Sequence, residues 1–262
     1  MPAYGEIVRA MAVIGFKRGL QHRTEFLLEG GLSIVTILAQ LAPITVLFGE
    51  RNAIAGWSHG QVIVLLGWFL IVNGIIQGVI TSSFSQSIDG IRTGQFDYLL
   101  LRPVDALFMS SLVNLRPWKL VDVAAGLMLA TMGLAELGHP PGALDVVLAT
   151  GLAVCALATV YALYVFAVAG SFALVRVENL MNVLSGLIDF GRWPIHVFEG
   201  VWRIVFTVLL PLAIVTSYPV MALLGTISWP EVVVAIAVAS GFAGAARLAW
   251  NIAIARYGSA SS

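Results

Sequence analysis

Seven long, nearly uncharged apolar stretches dominate this chain, and each is long enough to cross a bilayer or dip into one. They cover residues 26–48, 61–83, 120–137, 144–174, 180–194, 204–224 and 232–250. A helix needs about 20 mostly apolar residues to cross the hydrocarbon core. The runs are continuous rather than alternating, which argues against the strands of a membrane barrel. Of the 262 residues, 59% are hydrophobic and 11% charged. A soluble domain carries about 25% charged residues, so this chain lacks the polar surface that water demands. Soluble enzyme, disordered chain and coiled coil are excluded. The expected class is an all-α polytopic membrane protein.

Seven crossings conflict with the charge pattern. Basic residues gather before the first run (Arg9, Lys17, Arg18, Arg23), between the second and third (Arg92, Arg102, Arg116, Lys119), and at the end (Arg247, Arg256). The positive-inside rule puts all three groups in the cytoplasm, which requires an even number of crossings. Six transmembrane helices are therefore expected, with both termini cytoplasmic. Either 180–194, which carries Asp189 and Arg192, or 204–224, broken by Pro211 and Pro219, does not cross. A re-entrant hairpin turning near Pro211 fits the second choice, since proline ends or kinks a helix. The opposite assignment puts Arg192 and Arg203 inside and satisfies the charge rule slightly better. Hydropathy does not choose between them.

Residues 1–25 read as an interfacial helix, with Tyr4, Ile7, Met11 and Ile14 at helical spacing. Its scattered charges do not resemble a cleavable signal peptide. The connections at 49–60 and 138–143 are short, and the single Cys155 excludes an intrachain disulfide. Fourteen basic residues balance fourteen acidic ones, so no nucleic-acid partner is expected.

Chemistry-bearing residues are few. His22, His59, His139 and His196 are scattered without metal-ligand spacing, so no metal site and no catalytic set are expected. No G-x-x-x-x-G-K-[ST] phosphate loop occurs, and the G-x-S-x-G elbow of serine hydrolases is equally missing. Within the runs, Asn73 and Gln77 lie one turn apart, beside a Gly74-x-x-x-Gly78 step. Together with Glu29 they are candidates for pathway lining or helix packing. Asp122 and Glu136 lie near the two ends of the third run, where a charge reaches the interface. The most charged segment is the linker S-I-D-G-I-R-T-G-Q-F-D-Y-L-L-L-R-P-V-D, residues 87–105. It reads either as an ordinary solvated loop or as a short amphipathic helix docking on a cytoplasmic partner through Ile88, Ile91 and Phe96.

Two strings carry a family resemblance. I-R-x-G-x-F-D-Y-L-L-L-R-P-V-D at 91–105 resembles the signature loop of ATP-binding-cassette (ABC) type-2 exporter permeases, in the branch without a fused ATPase. R-W-P-I-H-V-F-E-G-V-W-R-I-V-F-T-V-L-L-P-L-A-I-V-T-S-Y-P-V-M-A-L-L-G at 192–225 is similar to that branch's second motif, with Glu199 where the family usually has proline. The resemblance implies a coupling helix at Asp89, Gly90, Ile91, Arg92, Gly94, Phe96 and Asp97, seated in a cleft of an ATPase subunit. It also implies a re-entrant extracellular hairpin at 199–224 that includes Trp202, Arg203, Pro211, Tyr218 and Pro219. With it the expected spans become about 26–48, 61–83, 118–138, 144–174, 179–195 and 231–252, with a coupling loop at 84–110 and a tail at 257–262.

The expected partners are ABC ATPase subunits, which would carry the ATP and Mg, a second permease subunit (a like copy or a paralogue), and membrane lipid. The chain itself would hold no cofactor. The implied function is export of a hydrophobic or amphipathic substrate across a bacterial inner membrane. An ion-coupled secondary transporter is the competing reading and calls for a mid-membrane carboxylate or cation site.

Overall fold

The computed structural model describes residues 4–21, 23–50, 53–138, 140–172 and 178–257. The described residues are helical apart from turns and one isolated bridge between Ile54 and Trp57. The protein is an all-α, multi-pass membrane protein. Five helical stretches are long and apolar enough to span: Leu27–Gly49, His59–Arg92, Pro117–Leu137, Ala143–Ser171 and Trp229–Ala255.

Helix α1 (Tyr4–Gln21) precedes α2 (Arg23–Glu50). Next comes α3 (His59–Ile75), whose N-terminus Ser58 and Gln61 close with a reciprocal capping box. It runs through a π-helical turn (Ile76–Thr81) into α4 (Ser82–Arg92). The helix therefore does not stop at Ser83, where the apolar run ends. It continues because α4 is amphipathic, with Phe84, Ser87, Ile88 and Ile91 buried while Gln86, Asp89 and Arg92 face outward. The turn after it leads to α5 (Asp97–Leu100), α6 (Ala106–Ser110) and α7 (Leu120–Leu137).

The pairing of α3 with α7 is made by glycine. Gly60, Gly67 and Gly74 recur every seven residues on α3, and Gly126 and Gly133 do so on α7. A methyl group on Gly67 would lie 2.6 Å from the Gly126 carbonyl and 2.5 Å from the Ala130 nitrogen, both backbone atoms. On Gly133 it would lie 2.7 Å from the Gly60 carbonyl. The two backbones are thus in direct contact, which in lipid supplies dispersion attraction where no hydrophobic force exists between helices. Gly74 and Gly78 continue the seam against Val123 and Lys119.

The π turn serves the segment that returns from α6. It leaves the Gly78 carbonyl free to accept from Arg116 N at 2.8 Å. Ser82 and Ser83 hydroxyls donate to the Asn114 carbonyl at 2.7 and 2.8 Å. Together they satisfy polar backbone that would otherwise be stranded at depth. On the outside, α1 covers this segment. Tyr4 meets the Phe108 ring edge-on at 4.9 Å, and Gly15 lies against Leu115.

Helix α8 (Ala143–Ser171) packs along α12 (Trp229–Ala255). Helix α9 (Glu178–Ile188) has 11 residues, short for a span, and ends in a 3-10 turn, Asp189–Arg192. Contacts order this stretch along α3–α4. Met181 and Asn182 share a cleft with Ile88 and Asp89. Ser185 meets Tyr164, which accepts from Thr81 at 2.9 Å. The Arg192 guanidinium lies 6.0 Å from the Phe69 ring centre, and His196 bonds Trp57. Then α10 (Val201–Ile204) with its π-helical extension to Leu209 meets a second piece, Ala213–Leu223, which ends in α11 (Tyr218–Leu223), at a 70° bend.

Candidate functional site

The end of the bundle that carries α5 is the most charged. Gly94 makes the turn out of α4 at φ +73°, a conformation other residues adopt only at a cost. Gly90 is not required in that way, since a Cβ there would make an ordinary 3.7 Å contact. Phe96 closes the turn. It is 2% exposed and meets Phe172, Trp250 and Tyr257 edge-on, with ring centres 5.4–6.2 Å apart. This aromatic cluster nails the tip to α8 and α12. Ile88 and Ile91 are buried as well, so the three apolar residues expected to dock on a partner belong to the protein's own core. The face left outside is different: Tyr98 at 74% and Leu101 at 81% exposure, flanked by Asp89, Arg92 and Arg102. Sequence periodicity missed this pair because Gly94 breaks the helical phase between α4 and α5.

The bent segment sits at the opposite end. Its beginning is tied to the connection before α3, where the Trp57 indole N–H donates to His196 Nδ1 at 3.2 Å. Trp68 lies nine residues into α3, about 13 Å along it, and its indole N–H donates to the Val215 carbonyl at 3.1 Å. The segment then returns, since Gly225 lies beside the Asp145 carboxylate at the start of α8. Pro211 stands at the bend, between Leu210 with φ −120° and ψ 78° and the helical Leu212. A residue before proline is driven out of the helical region. Pro219 follows directly on the π-helical turn Ala213–Ser217, at the start of α11. Tyr218 is buried, whereas Trp202 and Arg203 are exposed.

A third feature is a cavity of about 170 Å³ between α2, α3 and α7. Glu29, Ser33, Thr36 and Gln40 approach it from α2 at i, i+4, i+7 and i+11, one face of a helix. Asn73, Lys119 and Asp122 close it from the other side. Lys119 Nζ donates to Asp122 Oδ2 at 2.9 Å, and Asp122 is 5% exposed, so this carboxylate is buried within the protein in an ion pair. Glu136 instead meets His59 at a half-exposed position, 3.0 Å apart. Asn73 and Glu29 thus share a site, while half-buried Gln77 is not among its lining residues. The i, i+4, i+7, i+11 spacing was legible in the sequence, though only Glu29 stood out from it.

Compared with known protein families, residues 34–261 match the one described as ABC-2 family transporter protein. The chain belongs to that family. No curated protein and no solved structure matched it. Membership makes this chain the membrane component, or permease, of an ABC transporter and implies an ABC ATPase subunit as its partner. Among the described residues of the permease, no three His, Cys, Asp or Glu side chains are grouped to hold a metal ion. His22 and His139 lie outside the described residues, as does most of the expected tail at 257–262.

In this ABC-2 permease the tip is also braced by Asp105. Its carboxylate caps α6 by accepting from Phe108 N at 3.0 Å and meets Arg247 of α12 at 2.7 Å. The Arg247 hydrogen bond chiefly holds the Asp105 carboxyl below the usual carboxylate range. Asp105→Ala is expected to cost about 1 kcal/mol, mostly the cap, since a half-exposed pair contributes little. The depressed pKa fixes the sign of the pH effect. The contribution is complete above the ordinary carboxylate pKa and disappears as the pH falls below it toward the shifted value. Thermal melts of the two proteins should therefore differ at neutral pH and converge in acid.

Proposed function

We propose that this ABC-2 permease exports a hydrophobic or amphipathic substrate, driven by ATP hydrolysis on a separate subunit. The observation that carries this reading is the tip at Asp89–Leu101. It combines a rigid anchor, Phe96, with an exposed aromatic–aliphatic pair, Tyr98 and Leu101, and flanking charges of both signs. Buried anchors inside and an exposed Tyr in a charged rim are what a protein partner's cleft recognises. Asp89, Gly90, Ile91, Arg92, Gly94, Phe96 and Asp97 form the frame of this coupling element. ATP binding closes a pair of ATPases, and the tip carries that motion through the aromatic cluster into α8 and α12.

In this reading both termini are cytoplasmic in a bacterial inner membrane. Two observations favour that count, which calls for an even number of crossings: α1 packs against 108–115, the segment that follows the tip, and the end of α12 packs on Phe96 of the tip itself. The ladder of contacts from Asn182 beside Asp89 to His196 beside Trp57 supports 179–195 as the fifth crossing. Residues 201–223 then form an extracellular re-entrant hairpin. A second permease, identical or paralogous, completes the pathway.

Tagged protein extracted in mild detergent is expected to co-purify with an ATPase bearing a phosphate loop, at one ATPase per permease by mass spectrometry. A preparation of this chain alone, even after crosslinking through 88–97, would overturn the reading and favour an ion-coupled transporter.

A further inference from the structure

The cavity between α2, α3 and α7 is lined by polar side chains although it lies between membrane-spanning helices. Polar and ionisable groups inside a membrane are costly and as a rule line a pathway or a ligand site. Here they are not consumed by one another. The Lys119 ammonium is committed to Asp122 Oδ2. Gln40 Oε1 is buried with no hydrogen-bond partner, and such an orphan acceptor costs about 1–3 kcal/mol unless something donates to it. Two carboxyl groups, Glu29 and Asp122, face one ammonium, so the cavity carries an excess of acceptors and of negative charge.

The cavity is also next to hydrocarbon. On the same helix Leu28, Leu32, Val35 and Leu38 are 61–67% exposed and apolar. A ligand can therefore place a charged head among Glu29, Gln40, Asn73 and Asp122 while its tail lies along α2.

We propose that this cavity binds the ammonium head of a cationic amphiphile, a primary amine on an alkyl tail. Its N–H donors satisfy the Gln40 oxygen, its charge offsets the surplus carboxyl group, and its tail covers exposed leucines. An anionic head would meet two carboxyl groups and leave Gln40 Oε1 unpaired. A neutral alcohol would satisfy one acceptor and none of the charge. That the amine is the exported cargo rests on the permease reading, whereas its binding does not.

The test uses the full chain in neutral detergent and radiolabelled dodecylamine at neutral pH, where the amine is protonated. Saturable binding is expected, about tenfold weaker in Gln40→Leu and in Glu29→Gln, which removes the surplus carboxylate. Dodecyl phosphate and dodecanol should not compete. Equal affinity in the variants, or equal competition by either analogue, would overturn the assignment. Displacement by sodium chloride but not by an equal ionic strength of choline chloride would also overturn it, in favour of an inorganic cation site. In the complex with its ATPase, dodecylamine should raise the hydrolysis rate. Binding without that rise would overturn the cargo role alone, and absence of any ATPase partner would overturn the permease reading alone.

Discussion

Gly67→Ala is expected to destabilise the protein by about 3 kcal/mol, the upper end of what overpacking costs, and Gly126→Ala to do the same. The reason is geometric. The added methyl on Gly67 would lie 2.5–2.9 Å from atoms of the α7 backbone, and that on Gly126 would lie 2.5 Å from the Gly67 carbonyl. Neither side can yield by a rotamer change, because the atoms in the way are main chain. The helices must separate along the whole seam, losing the contacts at Gly60, Gly74 and Gly133. Gly151→Ala is the control: nothing lies within 4 Å of its Cβ, and it sits inside α8, where alanine is the better helix former. Unfolding in graded denaturing detergent, followed by helical circular dichroism, should rank the variants well apart. Equal midpoints for Gly67→Ala and Gly151→Ala would mean that the seam is looser than described.

Tyr98→Ala combined with Leu101→Ala is expected to abolish transport and ATPase association while leaving the fold intact. Both side chains are more than 70% exposed, so truncating them removes almost no internal packing. Removing a Tyr anchor from an interface costs about 2 kcal/mol or more, roughly a thirtyfold loss of affinity. Phe96→Ala separates the two roles of the tip. That ring is buried against three aromatic neighbours, and its loss costs about 3–5 kcal/mol of stability. Melting temperature should fall for Phe96→Ala and hold for the Tyr98/Leu101 pair, while ATPase co-purification should fall for both. Retained co-purification with the Tyr98/Leu101 pair removed would refute the docking face.

The errors of the sequence reading share one cause. Hydropathy marks where a helix enters lipid, not where it ends, so the apolar run stops at Ser83 although α4 carries the helix on to Arg92. Ile88, Ile91 and Phe96 looked like a surface because an apolar residue in a charged linker can face either way. What turned them inward was α8 and α12, far away in sequence, which present Phe172, Trp250 and Tyr257. Asp122 lies near the end of its run in sequence, and its burial comes from Lys119 and from the α2 and α3 residues packed beside it. Gly74 and Gly78 form a local step along one helix. The wider heptad of Gly60, Gly67 and Gly74 acquires meaning only opposite Gly126 and Gly133 on another helix.

The sequence by itself determined the solvent of this protein, its helical class and its family. Each follows from quantities local to the chain: the length of apolar runs, the near absence of charge within them, and two strings that survive without knowledge of their neighbours. The tertiary structure alone decided which glycines touch, which apolar residues of the tip face inward, and which polar residues of α2 meet Asn73, Lys119 and Asp122. These are properties of pairs of helices, and a pair is set by backbone approach and by the satisfaction of buried polar groups, neither of which is written in one helix alone.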